Sequence, residues 1–285
     1  MQTILNKVRQ RLDPRPQVQI MSDLHLEVGQ QYASFTFPTT APFLILAGDI
    51  GRLIDYQGYH SFLESQVTRY KKVFLVLGNH EFYGLDYQSG IQEARRLAQE
   101  PSLFGRLVLL HRDRWDDPDS DLTILGCTVW SAIPEASYGI VETKVNDFKK
   151  IDQWTPQQHN TIHQQELAWL REQTWQVLTV STPQKRRLFI ATHHAPCVEG
   201  TARPDQVSNP WSPAFATDLV DQKGWDGVKV WVFGHTHYSS RLTRNGIRLV
   251  SNQRGYVLPG SAAVRKQDGK GRGGEDFDPA FVVAV

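Results

Sequence analysis

Six of the ten histidines in this 285-residue chain sit directly behind short apolar runs: His25, His80, His193, His194, His235 and His237. The runs read VQIMSDLH (18–25), FLILAGD (43–49), VFLVLGNHE (73–81), RLFIATHH (187–194) and VKVWVFGHTH (228–237). Each ends in Asp, Asn or His, and Gly48, Gly78 and Gly234 immediately precede the polar residue. Imidazole nitrogens with carboxylate and amide oxygens form a donor set suited to Mn, Fe or Zn, without separating these ions. Asp23 and His25, like His235 and His237, are two residues apart and project to one side of an extended segment. Asp49, between such pairs, can bridge two ions through its two oxygens, and Asn79 offers a neutral carbonyl oxygen. Asp23, Asp49 and one bridging hydroxide offset only part of the charge on two divalent ions. The cluster therefore stays positive toward an anion such as a phosphate ester.

Bringing these residues together calls for strands that end at a common edge. Val18–Met21, Phe43–Ala47, Val73–Leu77 and Arg106–Leu110 read as strands, with helices at Tyr59–Tyr70 and Tyr87–Glu100 between them. This β-α-β-α-β alternation argues for a layered α/β fold with parallel strands. Ligands of such sheets bind beyond the carboxyl ends of the strands. Further strands are expected at Leu122–Trp130, Arg187–Thr192, Val228–Phe233, Ile247–Ser251 and Tyr256–Leu258, and a short helix at Pro213–Lys223. Asn245-Gly246, a preferred turn pair, is expected to join Val228–Phe233 to Ile247–Ser251. Thr155-Pro156-Gln157-Gln158 starts a long helix. His159 and His163 lie four apart on it, but Asn160 stands where the zinc motif HExxH needs Glu, so both are expected to be structural or surface histidines.

Hydrophobic content of 40% and charged content of 21% are ordinary for a globular chain. A formal net charge of +1, from 31 basic and 30 acidic residues, argues against holding duplex nucleic acid by its phosphates. Two cysteines, Cys127 and Cys197, are too few for a disulfide framework and fit a reducing, cytoplasmic compartment. No apolar run approaches the ~18 residues of a membrane span. Residues 1–17 lack the apolar core of a secretory signal and read as an amphipathic extension beside the first strand. Residues 18–285 read as one domain, with 264–276 a flexible charged link and 277–285 an edge strand.

Taken in order, Asp23-x-His25, Gly48-Asp49, Gly78-Asn79-His80-Glu81, Thr192-His193-His194 and Gly234-His235-x-His237 resemble the five motifs of the calcineurin-like metallophosphoesterase superfamily. The resemblance covers about residues 18–256, and its specificity comes from all five motifs standing in order at strand ends. Asn252-Gln253-Arg254-Gly255-Tyr256 also resembles an Asn-Pro-Arg-Gly-Tyr segment of some bacterial and fungal members, with Gln253 in place of Pro. The resemblance implies a four-layer α-β-β-α sandwich of two mixed β-sheets with flanking helices. It implies one ion on Asp23, His25, Asp49 and His237 and a second on Asp49, Asn79, His193 and His235. His193 is preferred to His194 because the family ligand ends the strand. It further implies that a water shared by the ions attacks phosphorus in line, while His80 hydrogen-bonds the phosphoryl group and assists the leaving oxygen.

His194, Arg254, Asn252, Tyr83 and Arg52 are candidates to approach a bound phosphate. Gly48-Asp49-Ile50-Gly51-Arg52 departs from the Gly-Asp-x-x-Asp-Arg-Gly of the protein phosphatases: the second Asp is absent and Arg comes one place early. The expectation is therefore a dinuclear metal-dependent hydrolase of a small phosphomonoester or phosphodiester. A nuclease on the same scaffold is the enzymatic alternative, and an interaction module of the same fold with a decayed metal site the non-catalytic one.

Overall fold

The computed structural model describes residues 15–179, 186–258 and 276–285. Residues 1–14 of the extension and 264–275 of the expected link lie outside the described residues. Strands β1 (Gln17–Met21), β2 (Phe43–Ala47), β3 (Lys72–Val76) and β4 (Leu107–Leu109) lie parallel and in chain order. The second sheet contains β5 (Asp113–Asp116), β6 (Leu122–Gly126), β7 (Arg187–Ala191), β8 (Val228–Phe233), β9 (Arg241–Arg244) and β10 (Ile247–Ser251). Its order is β5-β6-β7-β8-β10-β9, parallel through the middle and antiparallel at both edges. The expected C-terminal edge strand is β11 (Val282–Ala284), antiparallel to β1.

The apolar runs alternate between two cores. Ile20, Ile45, Phe74 and Val76 of the first sheet meet Ile124, Phe189, Val230 and Val232 of the second in a shared core between the sheets. Leu44, Leu46, Val73 and Leu75 face outward instead, against helices α1 (Tyr56–Val67) and α2 (Tyr87–Ala98). Strands buried on both faces must be apolar throughout, which is why they read as unbroken runs. After the short helices α3 (Tyr138–Lys144) and α4 (Asp147–Lys150), the long helix α5 (Pro156–Thr179) covers the outer face of the second sheet with Leu170 and Val177. The architecture is the four-layer α/β sandwich.

Four local expectations are corrected. The run from Leu122 leaves the sheet at Gly126, because Thr128 turns to donate its hydroxyl to the Leu77 carbonyl at 2.7 Å. Tyr256–Leu258 joins no ladder; Tyr256 turns toward His80 instead. Pro213–Lys223 contributes only the single turn Ser212–Ala214, because Thr217 N–H goes to Ala195 O at 3.1 Å rather than to a helical carbonyl. Asn245-Gly246 does make a hairpin turn, but it joins β9 to β10, while β8 pairs with β10 in parallel.

Helix α5 begins with a reciprocal cap: Thr155 Oγ1 accepts from Gln158 N, and Gln158 Oε1 accepts from Thr155 N. Its buried face carries His159, His163 and Glu166, which hold the chain just after β6. His159 Nε2 accepts from Ser131 N at 3.1 Å, His163 Nδ1 donates to Trp130 O at 2.6 Å, and Glu166 Oε2 accepts from Val129 N at 2.7 Å. The two histidines are structural.

Burial pushes the Glu166 carboxyl up to about 8 from an ordinary 4.5. A raised carboxyl pKa favours the folded state fully below the unfolded value, and that contribution is lost as pH rises through the folded value. Tm is expected to decline between about pH 5 and pH 8, and Glu166→Gln to flatten part of that decline in calorimetric scans. An unchanged slope would show Glu166 already ionised in the folded protein.

Candidate metal centre

Each ligand candidate lies just past the carboxyl end of a strand. Asp23 and His25 follow β1, Asp49 follows β2, Asn79 and His80 follow β3, His193 follows β7, and His235 and His237 follow β8. Both sheets therefore contribute. Asp23, His25, Asp49, His235 and His237 all have left-handed backbone, with φ of 52°, 47°, 54°, 72° and 50°. Such conformations cost on the order of 1–3 kcal/mol each at non-glycine residues and persist only where the surroundings enforce them. Gly48 and Gly78 permit close approach, since a Cβ would lie 2.2 Å from His193 Nδ1 at the first and 2.2 Å from Asp49 Oδ1 at the second.

The donors form two groups that share Asp49. Asp23, His25, Asp49 and His237 place ligand atoms within 4.8 Å of one another, and so do Asp49, His193 and His235. In the first group, His25 Nε2 and His237 Nε2 are 2.8 Å apart, and His237 Nε2 is 3.5 Å from Asp23 Oδ1. In the second, His193 Nε2 is 3.0 Å from Asn79 Oδ1 and 3.4 Å from Asp49 Oδ1. Asp49 Oδ2 faces the other way, 3.9 Å from His25 Nε2. His193 Nδ1 donates to Ala47 O at 2.9 Å, which turns Nε2 toward the centre. Among the described residues, His235 Nε2 is buried without a partner. Unpartnered or mutually facing nitrogens beside a buried carboxylate are the arrangement cations would satisfy, and the set fits two divalent ions.

Charge inside the centre is dominated by Asp49, whose carboxyl burial would raise but whose neighbours His193, His80 and His25 hold well below the usual range. Burial likewise opposes protonation of His193, yet Asp49 drives it up to about 10. His235 is pushed down by burial and by His193.

Glu81 sits behind these residues and accepts hydrogen bonds from Asp49 N, Ile50 N, Gly78 N and the Tyr59 hydroxyl at 2.7–2.9 Å. It ties the loop after β2 to the loop after β3. Glu27 holds His80: its Oε1 accepts from His80 Nδ1 at 2.8 Å and lies 3.3 Å from His25 Nδ1. Burial opposes ionisation of Glu27, but the bonds from the two histidines hold it down at about 2.

Two site residues escaped the reading of the sequence. Glu27 had a usable signal, since it stands two residues after His25, as His25 stands after Asp23. Asp147 had none. It is fully buried on α4, where Oδ1 accepts from Asn79 Nδ2 and from the Tyr83 hydroxyl, both at 2.7 Å. That bond turns the Asn79 carbonyl oxygen toward His193.

Each of the five candidate phosphate contacts has protein neighbours of its own. Tyr83 lines the cleft, but its hydroxyl is engaged by Asp147 and Asn79. His194 is wholly buried behind His235, with ring centroids 4.0 Å apart. Asn252 is saturated by Ile20 O, Asp278 O and Asp278 N. Arg254 donates to Leu24 O and Gln31 Oε1 and lies over the Phe35 ring. Arg52 is held by both oxygens of Asp55.

The sequence profile described as calcineurin-like phosphoesterase matches residues 17–239. The chain belongs to this family. An uncharacterized protein of Acanthamoeba polyphaga mimivirus is 30% identical over 261 residues, covering 83% of this chain and 90% of its own. The crystal structure of phosphopantetheinyl hydrolase from Mycobacterium tuberculosis has the same fold, with a TM-score of 0.64 at 18% identity, over 85% of this chain and 90% of that one. A dimetal phosphatase from Danio rerio aligns with a TM-score of 0.47 at 17% identity, over 84% and 87%. This calcineurin-like chain is accordingly a metallophosphoesterase, a phosphoester hydrolase whose His and Asp clusters suit two divalent metals.

Asp147→Asn, or Tyr83→Phe, is expected to weaken one of two Mn²⁺ equivalents by ~10–100-fold in competition titrations, the usual consequence of removing a partner that orients a ligand. Loss of thermal stability with both affinities unchanged would show a purely structural role.

Proposed function

We propose that the chain is a dinuclear metal-dependent hydrolase of small phosphate esters, with residues 18–285 acting as one domain. The observation that carries this is the Asp49 carboxylate, whose two oxygens face two separate donor groups drawn from both sheets. Asp23, His25, Asp49 and His237 would hold one ion, and Asp49, Asn79, His193 and His235 the other. When bound, two such ions supply Lewis acidity toward the phosphoryl oxygens and toward water.

The remaining work falls to His80. Glu27 fixes its Nδ1 proton, so Nε2 points to the centre, 3.9 Å from Asp49 Oδ2 and 3.0 Å from the Tyr256 hydroxyl. Burial opposes its protonation, but the charges of Asp49 and Glu27 raise its pKa, which suits a donor to a departing oxygen. Near-zero net charge supports a small substrate over duplex nucleic acid. Among the described residues no helix is long and apolar enough to cross a membrane, and Cys127 and Cys197 are free and buried. These features support action in a reducing, cytoplasmic setting.

Mn²⁺-loaded protein is expected to hydrolyse p-nitrophenyl phosphate or bis-p-nitrophenyl phosphate. His80→Ala should keep two bound ions by elemental analysis yet lose ~10²–10⁴ in kcat. Loss of an ion together with activity would reassign His80 as a ligand, and two ions with no turnover of either ester would favour a non-catalytic module.

A further inference from the structure

Two cavities meet at the same four residues, His80, Tyr83, Asn146 and Tyr256, and then diverge. The first, of about 350 Å³, has Asp49, Asn79, His235 and His237 in its lining, together with Lys144, with Arg203 (paired with Asp205), and with an apolar wall of Val145, Val198, Val207, Trp211 and Phe215. That wall is built in advance: Trp211 and Phe215 pack with Val145 on a small core of Ile133, Val141 and Ala214, separate from the main cores. Its size lies within the ~300–1,000 Å³ of small-molecule sites. The second cavity, of about 700 Å³, has no such wall and is lined by Arg52, Lys149 and Lys150, with Glu27 and Asp152. Glu27 is already engaged by His25 and His80, and Arg52 by Asp55. Lys149 and Lys150 are exposed, and among the described residues neither pairs with a carboxylate; Lys149 Nζ donates to Thr143 O, and Lys150 Nζ lies 5.1 Å from the Tyr83 ring centroid.

A phosphomonoester has one organic substituent and needs one such space. Here the residue that would assist the leaving oxygen stands at the junction of two, one with an aromatic and apolar wall, the other without it and lined by Arg52, Lys149 and Lys150. We propose that the centre prefers small phosphodiesters, with an aromatic or apolar arm in the first cavity and a polar, anionic arm along Lys149 and Lys150. This rests on the phosphoester hydrolysis proposed above and specifies its substrate class. In the reaction water oxygen forms a bond to phosphorus, one ester P–O bond breaks, and the departing oxygen takes a proton, giving a monoester and an alcohol.

The test uses the Mn²⁺-loaded full chain and three p-nitrophenyl esters: the monoester, a diester whose second alcohol carries a carboxylate, and one whose second alcohol carries a quaternary ammonium. The carboxylate diester is expected to exceed the monoester in kcat/KM by about tenfold or more. Lys150→Ala, a surface change outside the metal centre, should cost about tenfold on the carboxylate diester and spare the ammonium one. Trp211→Ala should raise KM for the aryl diester, and Trp211→Phe should restore it. A preference for the monoester, or an equal effect of Lys150→Ala on both diesters, overturns this proposal and leaves phosphoester hydrolysis standing. No turnover of any ester with two ions bound overturns both.

Discussion

The crowding of metal-competent nitrogens and oxygens into one buried centre is the constraint on which the rest of this structure depends. His25 and His237 present ring nitrogens to each other at 2.8 Å, His193 presents one to the Asn79 carbonyl, and His235 keeps one buried and unpartnered among the described residues. Buried polar atoms without partners are costly, and five strained backbones add to that cost. Such a cluster survives only on a rigid frame. The shared core between the sheets supplies one, because neither sheet can shift relative to the other without opening the packing of Phe74 and Phe189.

Carboxylates behind the centre convert that frame into fixed geometry. Glu81 gathers four backbone amides and a tyrosine hydroxyl, so the loops bearing Asp49 and Asn79 move as one unit. Glu27 fixes His80, Asp147 fixes Asn79, and Glu166 on α5 fixes the turn whose Thr128 carbonyl receives the amides of His193 and His194. Carboxylates thus brace the loops after β2 and β3, the His80 ring and the turn behind His193. Glu27 and Asp49 are held ionised by histidines, whereas burial raises the pKa of Glu81, Asp147 and Glu166. The division follows which acids face imidazoles and which face backbone amides or hydroxyls.

The apolar runs, their polar ends and the glycines before them determined the parallel strands and most of the donor set without reference to coordinates. Those features are local: a strand buried on both faces must be apolar, and a ligand must stand where the strand stops. The standing of Asp23, His25, Asp49, Asn79, His193, His235 and His237 just past strand ends was therefore legible. Segments whose partners lie far along the chain were not. Thr217 gives its amide to Ala195 and not to a helix, Tyr256 leaves the sheet for His80, and β10 takes β8 as a parallel neighbour across a hairpin that belongs to β9.

The same division holds inside the site. Sequence alone determined which atoms could hold cations, because donor chemistry is a property of the side chain. Only the tertiary structure decided which groups steer those atoms: Asp147 reaches Asn79 from 68 residues away, and Arg254 and Asn252 spend their hydrogen bonds on backbone carbonyls and a glutamine rather than on substrate. Orientation is set by whichever polar group arrives within hydrogen-bonding distance once the layers pack, and no local pattern encodes that distance.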